Sequence, residues 1–169
     1  ENMIFRIPGI SNKIIYLNDD FFIINKTSYE DFFHNDKILV RGHWGFKNKW
    51  LDRFIRLLRP KTFKGLVGRR PGMNKLPFRS RYFSIAHAPQ PLCLNKMEDV
   101  FSDSEFLSHN ISYRFRSPEQ ISPIGFVINY CLAQGDAVEN CNNDWAYLSP
   151  EEDSEKHVVK SLYEICKNR

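Results

Sequence analysis

The sequence has no long apolar run and no feature of a signal peptide. Its 169 residues contain no stretch of about 18 consecutive apolar side chains, so no segment is predicted to cross a bilayer. A basic region followed by an apolar one, as in a signal peptide, is missing from its start. Internal repeats and low-complexity tracts are missing as well. Because the first residue is Glu1 rather than Met, we expect an internal piece of a longer protein.

Cysteine is scarce, and its spacing argues against the common zinc motifs. The four cysteines are Cys93, Cys131, Cys141 and Cys166, and no two of them form a CxxC pair. We therefore expect reduced thiols that pack as small buried apolar residues.

Acidic residues are nearly missing from one internal segment. Residues 41–81 contain thirteen Lys or Arg and one acid, Asp52, a balance of +12, whereas the rest of the chain carries −8. A segment this basic predicts an anionic partner, such as a nucleotide, a phosphate polymer, a nucleic acid or acidic lipid headgroups. The alternative is a solvated basic surface.

The sequence does contain ample material for a core, in a mixture of strand and helix patterns. Fourteen Phe, seven Tyr and three Trp supply bulky packing groups. Residues 13–17, 37–41 and 81–86 are predicted strands, the first of them buried, and residues 28–33 predict a short helical turn. This mixed order predicts an α/β fold, with α+β as the alternative.

Helical spacing marks residues 49–58 and 91–101 and two later segments. Each later segment starts with an N-cap serine, a proline at the first helical position and a capping-box partner, at 117–120 and again at 149–152. Glycine and proline in residues 65–77 predict a mobile loop. The apolar positions of the last helix are Val158, Val159, Leu162 and Ile165.

Polar residues follow the first predicted strand directly. Asn18, Asp19 and Asp20 close that strand, and ligands of α/β sheets bind beyond the carboxyl ends of strands. Two acids there are suited to hold Mg²⁺ or to take a proton from a hydroxyl, provided that the chain turns so that both face one site. The alternative is that Asn and Asp simply make a turn.

Two further motifs follow predicted elements in the same way. His87 comes after the strand at 81–86, where it suits a general base or a phosphate ligand, or else is structural. Arg114 and Arg116 share one face of an extended segment just before the helix start at Ser117. A helix start and two guanidiniums make a phosphate-binding cradle, whereas the alternative is a pair of surface arginines.

These motifs together resemble the Stealth family of polysaccharide phosphotransferases. The matching stretches are RIPGIS at 6–11, IYLNDDFF at 15–22, DFF at 31–33, AHAP at 86–89 and FRS at 115–117. They follow the family's order, from the end of its second conserved region through its third. Residues 41–79 carry little of the likeness.

The resemblance implies a reaction and a fold. Stealth enzymes transfer hexose- or hexosamine-1-phosphate from a UDP-sugar to a hydroxyl and release UMP, as capsule polymerases do. The chain is then a single partial catalytic domain over 1–169, an incomplete Rossmann-like unit with short strands and three C-terminal helices. Residues 1–40 hold the Asn-Asp-Asp strand, 41–80 a basic loop-rich insertion, and 81–169 the His and Arg motifs and the helices.

The resemblance also implies catalytic residues. Asp19 and Asp20 belong to the family's Asn-Asp-Asp motif, His87 to its His-x-Pro motif and Arg116 to its Phe-Arg motif. These four residues are the expected catalytic groups, and Asp19 and Asp20 are the expected ligands of Mg²⁺ or Mn²⁺. We expect Asp19 or Asp20, His87 and Arg116 to lie around one cleft.

Substrate binding is expected from a second set of residues. Asn18 completes the family's motif, Arg114 is added because it lies beside Arg116, and the basic segment supplies Arg69 and Arg70. The expected partners are a UDP-sugar donor, a polysaccharide or glycan acceptor, and membrane or capsule-assembly proteins contacted peripherally, with no specific nucleic acid. The expected location is the cytoplasm, at the inner face of the cytoplasmic membrane.

Two family regions lie outside the chain. A WVdG-type strand would come before it and a CIND-type segment after it, so we expect the piece to be inactive alone. We also expect residues 60–79 to be poorly packed until a donor or acceptor orders them, since they offer little apolar area.

Two alternatives remain to this enzymatic interpretation. The first is a basic nucleic-acid- or polyanion-binding module, in which Trp44, Phe46 and Trp50 stack on bases between cationic groups. The second is a scaffold that keeps the fold without catalysis. The joint presence of the acids, His87 and Arg116 argues against the scaffold.

Overall fold

The computed structural model describes residues 3–46, 78–102, 104–114, 120–142, 144–148 and 155–167. These residues form a mixed α+β fold of small sheets and four α-helices. The predicted mixture of strands and helices is therefore confirmed. The helix predicted over 49–58 and the loop predicted over 65–77 lie outside the described residues, as does most of the segment over 60–79 that we expect ligands to order.

The first sheet pairs two strands that are distant in sequence. β1 (Lys13–Tyr16) runs antiparallel to β6 (Gln90–Cys93), with Ile14 opposite Leu92. Leu92 is fully buried, whereas Ile15 of β1 is 37% exposed. The predicted strand over 13–17 is confirmed, but the prediction that it is buried is wrong. The reason is that β1, within the described ranges, is an edge strand with a partner on one side only.

The second sheet has the order β2–β3–β7. β2 (Phe33–His34) and β3 (Lys37–Val40) form a hairpin, and β7 (Ala137–Glu139) runs parallel to β3. Asn35 and Asp36 join the hairpin with φ of 48° and 62°. This is the conformation of a two-residue type I′ turn, which Asn and Asp tolerate better than other side chains. The strand predicted over 37–41 is confirmed.

The third sheet pairs β4 (Gly42–Phe46) with β5 (Arg81–Ile85) in antiparallel register, with Trp44 opposite Phe83. The strand predicted over 81–86 is confirmed. The pairing continues one step past the strands, because the backbone N–H of Ala86 donates to the carbonyl of Arg41 at 2.8 Å. His87 therefore follows directly on a well-held strand end.

Two short helices follow β6. α1 (Leu94–Phe101) buries Leu94, Met97 and Phe101, and α2 (Ser104–Ile111) packs Phe106 against Phe101. The helix predicted over 91–101 is wrong in its first three residues, because their backbone pairs with β1 as part of β6. The sequence patterns did not predict α2.

The longest core helix is α3 (Pro123–Gln134). Its N-cap is Ser122, whose hydroxyl accepts from the N–H of Gly125 at 3.4 Å, and Gly135 ends it with φ of 80°. The predicted start at Ser117 is wrong, since Gln120 to Ser122 are not helical. Ser122-Pro123 repeats the Ser-Pro pattern of Ser117-Pro118, and only one of the two Ser-Pro pairs begins this helix.

The last helix, α4 (Glu155–Lys167), lies where a helix was predicted. Its predicted start at Ser149 lies outside the described residues. Val159 is 60% exposed and Leu162 is 37% exposed, so these apolar positions do not form a buried stripe among the described residues.

The core lies between α1, α3 and the strands β3, β5 and β6. Its fully buried side chains include Val40, Leu92, Met97, Val127 and Ile128. Asn129 of α3 links the helix to β5, accepting from the N–H of Phe83 at 2.7 Å and donating to its carbonyl at 2.8 Å.

The cysteines are free, as predicted, but only Cys131 is fully buried. Cys93 is half-buried, and the prediction of buried packing is wrong for Cys141 and Cys166, which are exposed. Their segments lie on the surface, after β7 and at the end of α4. None of the helices in the described ranges has the length and apolar character needed to cross a bilayer.

Candidate functional site

The site begins at the turn that ends β1. The chain leaves the strand after Tyr16 and reverses over Asn18 to Phe21, where the N–H of Phe21 donates to the carbonyl of Asn18 at 3.3 Å. Asn and Asp favour such turns because their side chains bond to nearby backbone groups. The turn directs Asn18 and Asp20 toward the turn that follows β5.

His87 lies on that second turn and meets both residues. Its Nε2 is 3.2 Å from Nδ2 of Asn18 and 3.6 Å from Oδ2 of Asp20. The side chains of His87 and Asp20 are 43% and 60% exposed, so a ligand can reach both. The structure therefore brings together an imidazole, a carboxylate and an amide from two turns that are far apart in the sequence.

Two aromatic rings pack against the imidazole. The ring of Phe21 lies 4.6 Å from that of His87, and the ring of Tyr147 lies 5.4 Å away, both nearly perpendicular to it. These edge contacts are the geometry that aromatic pairs prefer, and they fix the plane of the imidazole. Contacts with both rings therefore restrict the orientation of the imidazole whose Nε2 faces Asp20.

A cleft of about 730 Å³ opens beside His87. One wall is the apolar segment after the Asp20 turn, and the other is the segment at 144–148. Arg41 lies at its base with Asp31 and Asp144. The exposed apolar side chains that line it are Phe22, Ile23, Ile24, Tyr147 and Leu162. The cleft thus has a polar edge next to an apolar interior, as ligand sites commonly do.

Most of the charged side chains that line the cleft bond to other groups of the protein. Asp31 accepts from the N–H of Ser28 at 2.7 Å and caps a 3₁₀ turn over 29–31, which confirms the helical turn predicted there. Asp144 forms a buried ion pair with Arg41, at 2.6 Å from the guanidinium. Asp20 is the exposed carboxylate of this lining, and it faces His87.

The predicted site residues fall partly at this cleft. Asp20 and His87 line it, and Asn18 contacts His87, whereas Asp19 is exposed and is not a lining residue. Arg114 is exposed in the segment after α2 and does not line the cleft either. Arg116, Arg69 and Arg70 lie outside the described residues.

The basic segment is less uniform than its composition predicts. Arg41 is 4% exposed and ion-paired, and the guanidinium of Arg81 stacks over the ring of Trp44 at 4.1 Å. Trp44 in turn donates its Nε1–H to Glu139 at 3.1 Å. The prediction that this segment is a surface for anionic partners is therefore wrong for Arg41, because folding uses its charge internally.

Sequence reasoning missed three residues that line the cleft: Arg41, Asp144 and Tyr147. By composition Arg41 is one of the thirteen cations of residues 41–81, and only its place at the end of an apolar strand distinguishes it. No local signal identifies Asp144 or Tyr147, because their importance depends on what they contact across the fold.

The oxygen donors at the first turn suit a hard divalent cation. The carboxylate of Asp20 and the amide oxygen of Asn18 are ligand types that Mg²⁺ accepts, usually with waters and substrate phosphates completing its shell. Of the predicted metal ligands Asp19 and Asp20, only Asp20 lines the cleft, and their joint role in holding a metal ion stays a prediction. In the described part of the chain, no three His, Cys, Asp or Glu side chains form a metal-binding group.

No protein-family model matches the chain, and no curated protein matches it at a significant level. The resemblance to the Stealth family therefore stays a prediction, which rests on the motifs themselves.

Proposed function

We propose that this chain is part of a sugar-1-phosphate transferase of the Stealth type. The reaction moves hexose- or hexosamine-1-phosphate from a UDP-sugar to a hydroxyl of a growing capsule polysaccharide and releases UMP. The observation that carries the proposal is the meeting of Asn18 and Asp20 with Nε2 of His87 at the edge of the cleft. These residues come from two separate motifs that the resemblance assigns to one active site.

The chemistry needs a group that accepts the proton of the attacking hydroxyl. The hydroxyl oxygen attacks the phosphorus that bears the sugar, and the bond from that phosphorus to the oxygen kept by UMP breaks. The proton passes to Oδ2 of Asp20 or to Nε2 of His87, and one hydroxyl can reach both because they are 3.6 Å apart.

The charge of the cleft bears on where the donor diphosphate lies. Among the described lining residues, Asp20, Asp31 and Asp144 contribute three carboxylates and Arg41 contributes the one guanidinium. A diphosphate therefore needs cations from elsewhere, which we assign to Mg²⁺ or Mn²⁺ at Asp20 and to Arg116, Arg69 and Arg70. The described cleft fits the less charged acceptor better than the donor.

The apolar interior of the cleft suits a sugar ring. Tyr147 is 60% exposed and Phe22 is 84% exposed, and both line the cleft. Exposed apolar groups gathered in a cleft commonly mark a ligand site. An acceptor sugar packed against them would point a hydroxyl toward Asp20 and His87.

The proposal is tested by product analysis in the complete protein. With a UDP-sugar and an oligosaccharide acceptor, we expect UMP as the nucleotide product, whereas a glycosyltransferase would release UDP. Asp20→Asn and His87→Ala should each lower turnover by about 10²- to 10⁴-fold, the usual contribution of a general base. The matched controls are Asp99→Asn and His34→Ala, which change exposed residues elsewhere. Normal turnover in both site variants, or UDP as the product, would overturn the proposal.

The organisation of the domain is part of the same proposal. An incomplete Rossmann-like unit is expected, and the parallel pairing of β3 with β7 is the feature that fits it. A place at the inner face of the cytoplasmic membrane, next to the growing polymer, follows from the proposed reaction.

The alternative of a nucleic-acid- or polyanion-binding module gains no support from the described part of the basic segment. Arg41 is buried, and Arg81 covers Trp44, one of the three aromatic residues expected to stack on bases. Nucleic-acid binding that persists at physiological salt would favour this alternative, since nonspecific binding to basic groups weakens steeply with salt.

A further inference from the structure

Arg41 connects three segments that border the cleft, through its side chain and its backbone. Its guanidinium donates to Asp144 from Nε at 3.1 Å and from a terminal nitrogen at 2.6 Å, a two-point contact that fixes both groups in one plane. The same terminal nitrogen donates to the carbonyl of Asp31 at 3.0 Å. The guanidinium also lies over the ring of Phe32 at 4.7 Å.

The backbone of Arg41 holds the turn that carries His87. Its N–H donates to Oε1 of Gln90 at 3.1 Å, and its carbonyl accepts from Nε2 of Gln90 at 2.8 Å. The same carbonyl accepts from the N–H of Ala86, and Nε2 of Gln90 also donates to the carbonyl of Ala86 at 3.1 Å. Residues on both sides of His87 are therefore bonded to Arg41 or to each other.

The side chain of Arg41 holds the segment that carries Tyr147. Residues 144–148 have no regular secondary structure, so no backbone ladder fixes them. Asp144 is held by Arg41 and by Nδ2 of Asn140 at 3.1 Å, and Tyr147 follows three residues later against the ring of His87. Tyr147 is 60% exposed, and the segment that carries it is bonded to the rest of the fold through Asp144.

We propose that Arg41 and Asp144 are positioning residues that set the ring of Tyr147 against His87. The backbone of Arg41 holds the turn that carries His87, and its guanidinium holds Asp144, three residues before Tyr147. A buried ion pair suits this task because its attraction depends on geometry, and the planar guanidinium allows few arrangements. The consequence for turnover rests on the proposed function, whereas the placement of the two rings does not.

The placement is tested by NMR of the His87 imidazole. The ring of Tyr147 shifts the carbon-bound protons of His87, so Tyr147→Leu defines the signal without that ring, and Tyr163→Leu on α4 is the matched control. Asp144→Asn keeps the size of the side chain but removes its charge. We expect it to move the His87 signal toward that of Tyr147→Leu while the signal of His34 stays in place.

The turnover of the same variants is a second test of the positioning role. Asp144→Asn and Tyr147→Leu should each lower turnover, by up to about 100-fold for a displaced group, and the double variant should be no worse than Tyr147→Leu alone. If Asp144→Asn does not fold, the measurements are made on Arg41→Lys, which keeps the charge but loses the two-point contact.

An unchanged His87 signal in a folded variant would overturn the positioning role, as would additive losses of turnover. A shifted signal in a complete protein that lacks transferase activity would support the positioning role and count against the proposed function, so the two failures are distinguishable.

Discussion

The side-chain nitrogen of Asn18 lies 3.2 Å from Nε2 of His87, although 69 residues separate them in the sequence. When Nε2 carries the lone pair of the neutral imidazole, Asn18 donates to it, and Nδ1 then carries the ring proton. When the imidazole is protonated, Nε2 can donate toward Asp20 instead. Asn18 and Asp20 therefore contact the same nitrogen in its two protonation states.

This relationship predicts a moderate role for Asn18. Asn18→Ala removes one hydrogen bond to the imidazole, worth about 0.5–1.5 kcal/mol, so turnover should fall by no more than about tenfold. The measurement is UMP release at saturating UDP-sugar, and the control is Gln134→Ala, which removes an exposed amide at the end of α3. A loss as large as that in Asp20→Asn would mean that Asn18 contacts the reacting groups directly.

The bond between α3 and β5 predicts a large loss of stability. Asn129→Ala would leave the buried N–H and carbonyl of Phe83 without the side chain that bonds both, at a cost of about 1–3 kcal/mol for each group. Denaturant unfolding measures the change, again with Gln134→Ala for comparison. A free energy of unfolding close to that of the unmodified protein would show that water or a rearranged side chain satisfies these groups.

A second stability prediction concerns Gly42, at the start of β4. A Cβ added there would overlap the carbonyl oxygen of Ser84 and lie 2.6 Å from Cε1 of Phe83, so β4 could not keep its distance from β5. We expect Gly42→Ala to destabilise the fold by about 1–3 kcal/mol or more, as overpacking does.

The comparison for Gly42 is Gly9→Ala. Gly9 has φ of 75°, and its added Cβ meets nothing within 4 Å, so only backbone strain of about 1–2 kcal/mol opposes it. Both variants are compared by thermal melting. A Gly42→Ala protein that is as stable as the unmodified protein would contradict the close approach of the two strands.

We expect the reactivity of the four thiols to decrease as their burial increases. Burial raises the pKa of Cys131 from 9.0 to about 12, so its thiol stays protonated and shielded at pH 8. We expect iodoacetamide to modify Cys141 and Cys166 first, Cys93 more slowly, and Cys131 only after denaturation, as read by peptide mass spectrometry. Early modification of Cys131 in the folded protein would contradict its place in the core.

The same shift predicts a dependence of stability on pH. The folded pKa of Cys131 lies above the unfolded one, so its contribution is fully present below about pH 9 and is lost as the pH rises toward 12. Denaturant unfolding of the unmodified protein and of Cys131→Ala over this range isolates the effect. A slope that is equal in both proteins would assign the alkaline loss to other groups.

The sequence predicted much of the local structure, because the signals for strands and turns are themselves local. Apolar runs identified β1, β3 and β5 within one residue of their ends. The polar residues Asn18 and Asp20 identified the turn after β1, and the same turn now faces His87. The sequence patterns did not predict β6, because residues 90–93 are equally compatible with the start of a helix. Only their pairing with β1 shows that they form a strand.

Local patterns alone identified the chemistry-bearing side chains that follow strands, namely Asn18, Asp19, Asp20 and His87. Tertiary structure decided that α3 begins at Ser122 rather than Ser117, and that Arg41 pairs with Asp144 inside the fold instead of joining a basic surface. Both outcomes depend on groups distant in sequence. A Ser-Pro pair caps a helix only where the helix that follows can pack against the core. An arginine is buried only where a carboxylate lies close enough to form an ion pair with it.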